Sequence, residues 1–213
     1  MFCGVDEAGR GSVLGPLVVG AVYTEDDTVL KEIGVKDSKK LTEKVRERMF
    51  DEIAASCPLY TTVVITADEI DEKRKRQSLN VIEMDMFQEA VSKIPVKTVY
   101  ADCPDPNEMI FSSTLSVRLG GTEVIGRHKA DDTYPVVSAA SIIAKVTRER
   151  MVANIQREFD VNIGSGYPSD HFTMEFIEKW IKNNGRPPKY TRCSWEPVRH
   201  LMSASRNTKL TDW

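Results

Sequence analysis

Leu17-Val18-Val19-Gly20-Ala21-Val22-Tyr23 is apolar almost without interruption, and that run limits what this chain can become. It is short and rich in valine, so it reads as a strand. Strand side chains alternate between two faces, so a strand apolar on both needs cover on both. Val136 to Ala144 carries the complementary signal, nine residues that are small and apolar all round. They read as the buried first half of a long helix reaching Phe159. Strand-like and helix-like stretches alternate along the chain, which predicts an α/β fold.

The other predicted elements fit that class. Strands are expected over Phe2–Asp6, Tyr60–Thr66 and Lys97–Asp102, with a short one around Val124-Ile125. Thr42 reads as the N-cap of a helix to about Ser56, and Ser78 as the cap of a helix with Leu79, Ile82, Met86 and Ala90 on one stripe, stopped by Pro95. Asp68–Arg76 is a charge cluster on an exposed helix or loop. Gly164-Ser165-Gly166-Tyr167-Pro168 is a loop. Ser169 or Asp170 then caps a helix with Phe172, Phe176, Ile177, Trp180 and Ile181 at helical spacing, and a last helix starts near Trp195. The sheet-rich part ends near Arg127. The expected organisation is a catalytic α/β domain over 1–160, a helical C-terminal portion over 161–206 packed on it, and a tail over 207–213.

Composition removes several classes. No apolar run approaches the roughly 20 residues needed to span a bilayer, and no signal peptide is visible, so a cytoplasmic protein is expected. Cys3, Cys57, Cys103 and Cys193 stand far apart and make no zinc half-site. The net charge is -3, but it is unevenly spread. Between Lys179 and Lys209 lie Lys179, Lys182, Arg186, Lys189, Arg192, Arg199, Arg206 and Lys209 against Glu196 alone. That segment carries +7 and the rest -10. A basic segment beside an acidic body suits a phosphate backbone.

Asp6-Glu7 closes the first apolar run and opens onto Ala8-Gly9-Arg10-Gly11. Asp102 ends a second strand, and one of Asp131-Asp132 precedes the buried helix. Such positions converge at one end of a sheet, where α/β folds place ligands. Clustered carboxylates raise one another's pKa and call for divalent cations. An all-oxygen set with open positions suits Mg²⁺ or Mn²⁺ rather than zinc, and two such ions clamp a phosphodiester in metal-assisted hydrolysis. Neighbours in a regular strand face opposite ways, so Glu7 is expected where the chain bends, with Gly9 and Gly11 allowing the bend. His128, His171 and His200 read as surface or satisfied core residues.

Asp6-Glu7-Ala8-Gly9-Arg10-Gly11, Gly15-Pro16, Asp37-Ser38-Lys39-Lys40-Leu41, Tyr100-Ala101-Asp102, His128-Lys129-Ala130-Asp131, Ser138-Ala139-Ala140-Ser141-Ile142 and Gly164-Ser165-Gly166-Tyr167-Pro168-Ser169-Asp170 occur in that order. Together they resemble the type 2 ribonuclease H family, ribonuclease HII, over about Cys3 to Asp170. Asp131, where the related ribonuclease HIII has glutamate, and the lack of a long N-terminal extension favour HII, most similar to the archaeal branch. The resemblance implies a ribonuclease H-like fold, a central mixed sheet flanked by helices. It implies a catalytic and metal-binding quartet of Asp6, Glu7, Asp102 and Asp131. The implied activity is endonucleolytic cleavage of the RNA strand of RNA/DNA hybrids, and on the 5′ side of ribonucleotides embedded in duplex DNA. The products would carry 3′-hydroxyl and 5′-phosphate ends.

In the family a Gly-Arg-Gly turn and a tyrosine sense the 2′-hydroxyl; here these are Gly9, Arg10, Gly11 and Tyr167. Glycine amides approach a sugar closely, and a phenol donates to or accepts from a hydroxyl. Lys39, Lys40 and Lys145 are candidate phosphate partners, followed by Ser38, Lys129 and Ser141. Asn207, Leu210 and Trp213, at i, i+3 and i+6, are similar to a sliding-clamp-binding peptide, with asparagine in place of its glutamine and one aromatic in place of two. A monomer is expected. Two other readings remain: a resolvase-type nuclease on the same kind of fold, and a non-catalytic hybrid-binding module.

Overall fold

The computed structural model describes residues 1–35, 41–57 and 59–208, with only the backbone for 206–208. The chain forms two compact units, each assembled from separate stretches of sequence. One comprises Met1–Ala8, Val18–Val64 and Ser78–Thr147, and the other Gly9–Leu17, Ile65–Gln77 and Arg148–Trp213.

The first unit is built on a five-stranded mixed sheet. Its strands are β1 (Phe2–Ala8), β2 (Leu17–Thr24), β3 (Tyr60–Ile65), β4 (Thr98–Asp102) and β5 (Glu123–Arg127), in the order β3-β2-β1-β4-β5. β1 runs antiparallel to β2 and parallel to β4, and β4 runs parallel to β5. Around the sheet stand α1 (Thr28–Ile33), α2 (Glu43–Ser56), α4 (Leu79–Ser92), α5 (Glu108–Arg118), α6 (Ala130–Thr133) and the first half of α7 (Pro135–Phe159), with α3 (Ala67–Arg74) in the other unit. One core gathers Val22, Leu30, Phe50 and Ile53 with Ala139, Ile142, Ile143 and Val146 of α7. These α7 residues are fully buried, as the all-round apolarity of that stretch requires.

Local signals fix the ends of the elements. Thr42 and Ser78 accept from the backbone amides of Val45 and Val81 and so cap α2 and α4. Thr66, expected inside β3, instead caps α3 in a reciprocal capping box with Glu69. Asp170, not Ser169, caps α8 (His171–Asn184). Sequence periodicity did not show α1, α5 or α6. Two of these have six residues or fewer, and α5 leaves Met109, Ile110 and Val117 exposed, which blurs its stripe.

The second unit packs Val13 and Leu14 with Val152 and Ile155 of α7, Ile177 and Ile181 of α8, and Val198 of α9 (Glu196–Thr208). Phe159, Phe176 and Trp180 add edge-on ring contacts. The four cysteines are free thiols; three are buried and Cys193 is exposed. Among the described residues no helix is long and apolar enough to cross a membrane.

Candidate active site

β1 and β4 lie side by side and parallel, with Val5 opposite Ala101. The next residue on each strand is an acid, Asp6 on β1 and Asp102 at the end of β4. Parallel pairing therefore brings two carboxylates to the same end of neighbouring strands, where α/β sheets bind ligands. Asp6 is only 4% exposed. Its carboxyl is held well above the usual carboxylate range, first by burial and then by repulsion from Glu7 and Asp102. A hydrogen bond from Ser141 and the charge of Lys145 act in the opposite sense. Ser141 and Lys145 are one turn apart on α7, so a single helix face brings both to Asp6.

Glu7 departs from expectation. The chain does not bend there: β1 stays paired through Ala8, with Asp6 opposite Gly20 and Glu7 opposite Val19. The bend comes at Gly9, whose φ is +93°. Asp6 Oδ1 accepts the Glu7 amide at 2.7 Å, and the two carboxylates are close enough to repel although neighbouring strand residues face opposite ways.

Asp131 is carried by α6, which follows β5. Lys129 takes a left-handed conformation, φ 56°, which turns the chain into α6. Asp102 Oδ1 then accepts the amide of Ala130 at 2.8 Å, one residue before Asp131. Asp131 is 4% exposed, and Asp132 beside it is exposed. A cavity of about 350 Å³ is lined by Asp131, Ser138 and Lys31, among others. The Lys129 side chain is exposed. Among the described residues no three His, Cys, Asp or Glu side chains are arranged around one ion.

The second unit holds the other motif residues together. The Gly9–Gly11 turn is closed by Ser12, whose amide and hydroxyl both donate to Gly9 O, at 3.2 and 2.9 Å. The amides of Val13 and Leu14 donate to Gly166 O at 2.8 and 3.1 Å, which ties the segment after the turn to the residue before Tyr167. Tyr167 is half-buried, with its ring centre 4.6 Å from the Arg148 guanidinium. Sequence reasoning passed over Arg148, and it counted Arg192 only in the basic segment for a phosphate backbone, whereas Arg192 is fully buried. Position 148 is three residues from Lys145 on α7, the one signal that pointed to it.

The histidines lie elsewhere. His128 donates its amide to Glu108 and pairs its ring with Asp105 O, and His171 and His200 sit one turn from Glu175 and Glu196 on their helices. Ser38, Lys39, Lys40, Leu210 and Trp213 lie outside the described residues, as does the side chain of Asn207.

A five-stranded mixed sheet with flanking helices and acids at adjacent strand ends defines a ribonuclease H-like fold. The family model for ribonuclease HII matches residues 3–198. A ribonuclease HII of Methanospirillum hungatei is 42% identical over 214 residues, covering 100% of both chains. Two solved structures are similar throughout. The ribonuclease H2 of Pyrococcus horikoshii matches with a TM-score of 0.89 at 40% identity, over 96% of this chain and 98% of that one. The PCNA:RNase HII complex from Archaeoglobus fulgidus matches with a TM-score of 0.89 at 39% identity, over 94% of this chain and 96% of that one. The chain belongs to the ribonuclease HII family, type 2 ribonucleases H that act as divalent-metal-dependent endonucleases.

Proposed function

We propose that this endoribonuclease hydrolyses the RNA strand of RNA/DNA hybrids and nicks duplex DNA on the 5′ side of an embedded ribonucleotide, leaving 3′-hydroxyl and 5′-phosphate ends. This assigns it to ribonucleotide removal and primer processing in the cytoplasm. The observation that carries the reading is the electrostatic cluster at the ends of β1 and β4. Asp6 is buried against Glu7 and Asp102, with Lys145 and Ser141 alongside.

The donor set fits a hard divalent cation, Mg²⁺ or Mn²⁺. It is all oxygen, and Asp6 ionises only against burial and two acidic neighbours, a penalty that a cation offsets. Such ions are often held by one or two carboxylates and complete their shell with water and phosphate oxygens, so no cage of three protein ligands is required. Asp6, Glu7, Asp102 and Asp131 would hold the cation. When bound, it polarises the scissile phosphodiester and stabilises charge on the departing oxygen.

The chain's own residues do the rest. Ser141 fixes the Asp6 carboxylate by donating to it. Lys145 supplies a mobile positive charge for a non-bridging phosphate oxygen. Asp102, by accepting the Ala130 amide, sets the start of α6 and with it the backbone position of Asp131. Gly9, Arg10, Gly11 and Tyr167 read the 2′-hydroxyl that separates RNA from DNA. Ser38, Lys39, Lys40 and Lys129 are assigned to the phosphate backbone. The chain acts as a monomer, and its tail, through Asn207, Leu210 and Trp213, docks on a sliding clamp; the related Archaeoglobus fulgidus protein was solved with PCNA.

Two duplexes differing by one ribonucleotide, each with and without Mg²⁺, test the reading. Magnesium-dependent nicking at the ribonucleotide alone is expected. Asp102→Asn should slow it by on the order of 10³-fold, as for loss of one preorganised electrostatic group. Cleavage of all-DNA four-way junctions would point to a resolvase, and an Asp102→Asn variant identical to wild type would point to a binding module.

A further inference from the structure

Arg148 and Arg192 are cations in the interior of the second unit, 5% and 0% exposed. A buried arginine is costly unless its donors are engaged, and these two engage main-chain carbonyls. Arg148 Nη2 donates to Leu14 O at 3.3 Å and to Ser165 O at 3.1 Å. Arg192 donates through Nε to Gly15 O and through Nη1 to Arg10 O, each at 3.1 Å. One guanidinium thus grips the glycine turn itself, and the other spans the segment after the turn and the loop that carries Tyr167.

Two glycines make room for Arg148. A Cβ at Gly9 would stand 2.5 Å from Arg148 Nε, and one at Gly166 would stand 2.8 Å from its Nη2. Both residues have positive φ, +93° and +86°. One belongs to the Gly-Arg-Gly turn, and the other directly precedes Tyr167. The Arg148 guanidinium also lies over the Tyr167 ring, within cation–π range at 4.6 Å.

The arrangement is poor as simple core filling. Arg148 Nε and Arg192 Nη2 have no hydrogen-bond partner among the described residues. Burial and the charge of Arg148 hold Arg192 down to about 9, so the two cations oppose each other. Local rules broken in this way mark a site where placement matters.

We propose that Arg148 and Arg192 are positioning residues for ribose recognition, fixing the Gly9–Gly11 turn and Tyr167 relative to one another so that both meet a single 2′-hydroxyl. This rests on the reading of that turn and tyrosine as the ribose sensor. Lysine keeps the charge but lacks the planar fork that spans two carbonyls and stacks on a ring.

The test compares Arg148→Lys, Arg192→Lys, Tyr167→Phe and Arg148→Lys with Tyr167→Phe. Each is assayed for kcat/KM at a single embedded ribonucleotide and on a continuous RNA/DNA hybrid, with Tm measured alongside. The expected result is a folded Arg148→Lys whose rate at the single ribonucleotide falls about ten- to hundredfold relative to its rate on the hybrid, the scale of a small misplacement. The double variant should be no worse than Tyr167→Phe, because both changes disable one device. Arg192→Lys carries the same test if Arg148→Lys does not fold. Folded lysine variants with a wild-type ratio, a strictly additive double variant, or loss of folding in both lysine variants would each overturn the proposal. If the wild type fails to nick at a ribonucleotide, the functional reading falls and takes the proposal with it. If Tyr167→Phe loses the preference while the lysine variants keep it, only the proposal falls.

Discussion

Asp6 is a buried acid beside two other carboxylates, and its burial gives a stability test separate from activity. Its carboxyl is raised by burial, then by Glu7, then by Asp102. For an acid raised on folding, the folded state keeps its proton to higher pH than the unfolded chain, so stability falls as pH rises above the ordinary aspartate value. Asp6→Asn removes this penalty. In the absence of divalent ions the variant should melt above wild type at neutral pH, and the gain should vanish below about pH 4, where both states of Asp6 are protonated. Added Mg²⁺ should raise the wild-type Tm more than that of the variant, which no longer offers a full carboxylate. Thermal melts across pH, with EDTA or Mg²⁺, read all three; a variant no more stable than wild type in EDTA at pH 7 would contradict the account. Asp6 and Asp102 stood out because each closes a run of strand-like residues, and the Asp131-Asp132 pair because it precedes the buried helix. The carbonyl bonds of Arg148 and Arg192 did not, because three of the four carbonyls lie more than a hundred residues away in the chain, which no local pattern encodes.

Among the elements, contact between α7 and the sheet decides where Asp6 sits. A Cβ at Gly4 of β1 would lie 2.3 Å from the Val136 carbonyl carbon, and one at Gly20 of β2 would lie 2.6 Å from Ala140 O. The helix backbone therefore rests directly on two strand glycines, with alanines at 139, 140 and 144 completing a close approach. This is why Val136–Ala144 had to be small as well as apolar, and why the sequence revealed the burial of the helix but not its partners. Gly20 stands opposite Asp6 in the β1–β2 ladder. Gly20→Ala should destabilise by about 1–3 kcal/mol, the usual range for overpacking a filled core. Its nicking rate should also fall, because pushing α7 away moves Ser141 and Lys145 from Asp6. Urea denaturation gives the first effect and single-turnover nicking the second. Of the elements that escaped the sequence, α1 and α6 are too short to show a stripe, and α5 buries Phe111 and Leu115 but leaves Met109, Ile110 and Val117 exposed.

For the molecule as a whole, the basic C-terminal segment is less of a uniform surface than its net charge suggests. Arg192 is buried against carbonyls, Lys179 pairs with Glu175 at 2.6 Å, and Lys189 pairs with Glu158 at 3.4 Å. Lys182, Arg186 and Arg199 are exposed and show no ion pair among the described residues. Exposed pairs on a helix contribute little and leave their cations half neutralised, so the three unpaired residues are the best equipped to meet phosphates. Duplex binding by the slow-cleaving Asp102→Asn variant should weaken linearly in log affinity against log salt, with a slope set by the number of phosphates neutralised. Arg186→Ala and Arg199→Ala should each make that slope shallower by about one, whereas Lys179→Ala should barely change it. If every slope matches that of the parent, the duplex does not run along this segment, and the phosphate contacts must come from lysines of the sheet unit, Lys129 and Lys145 first.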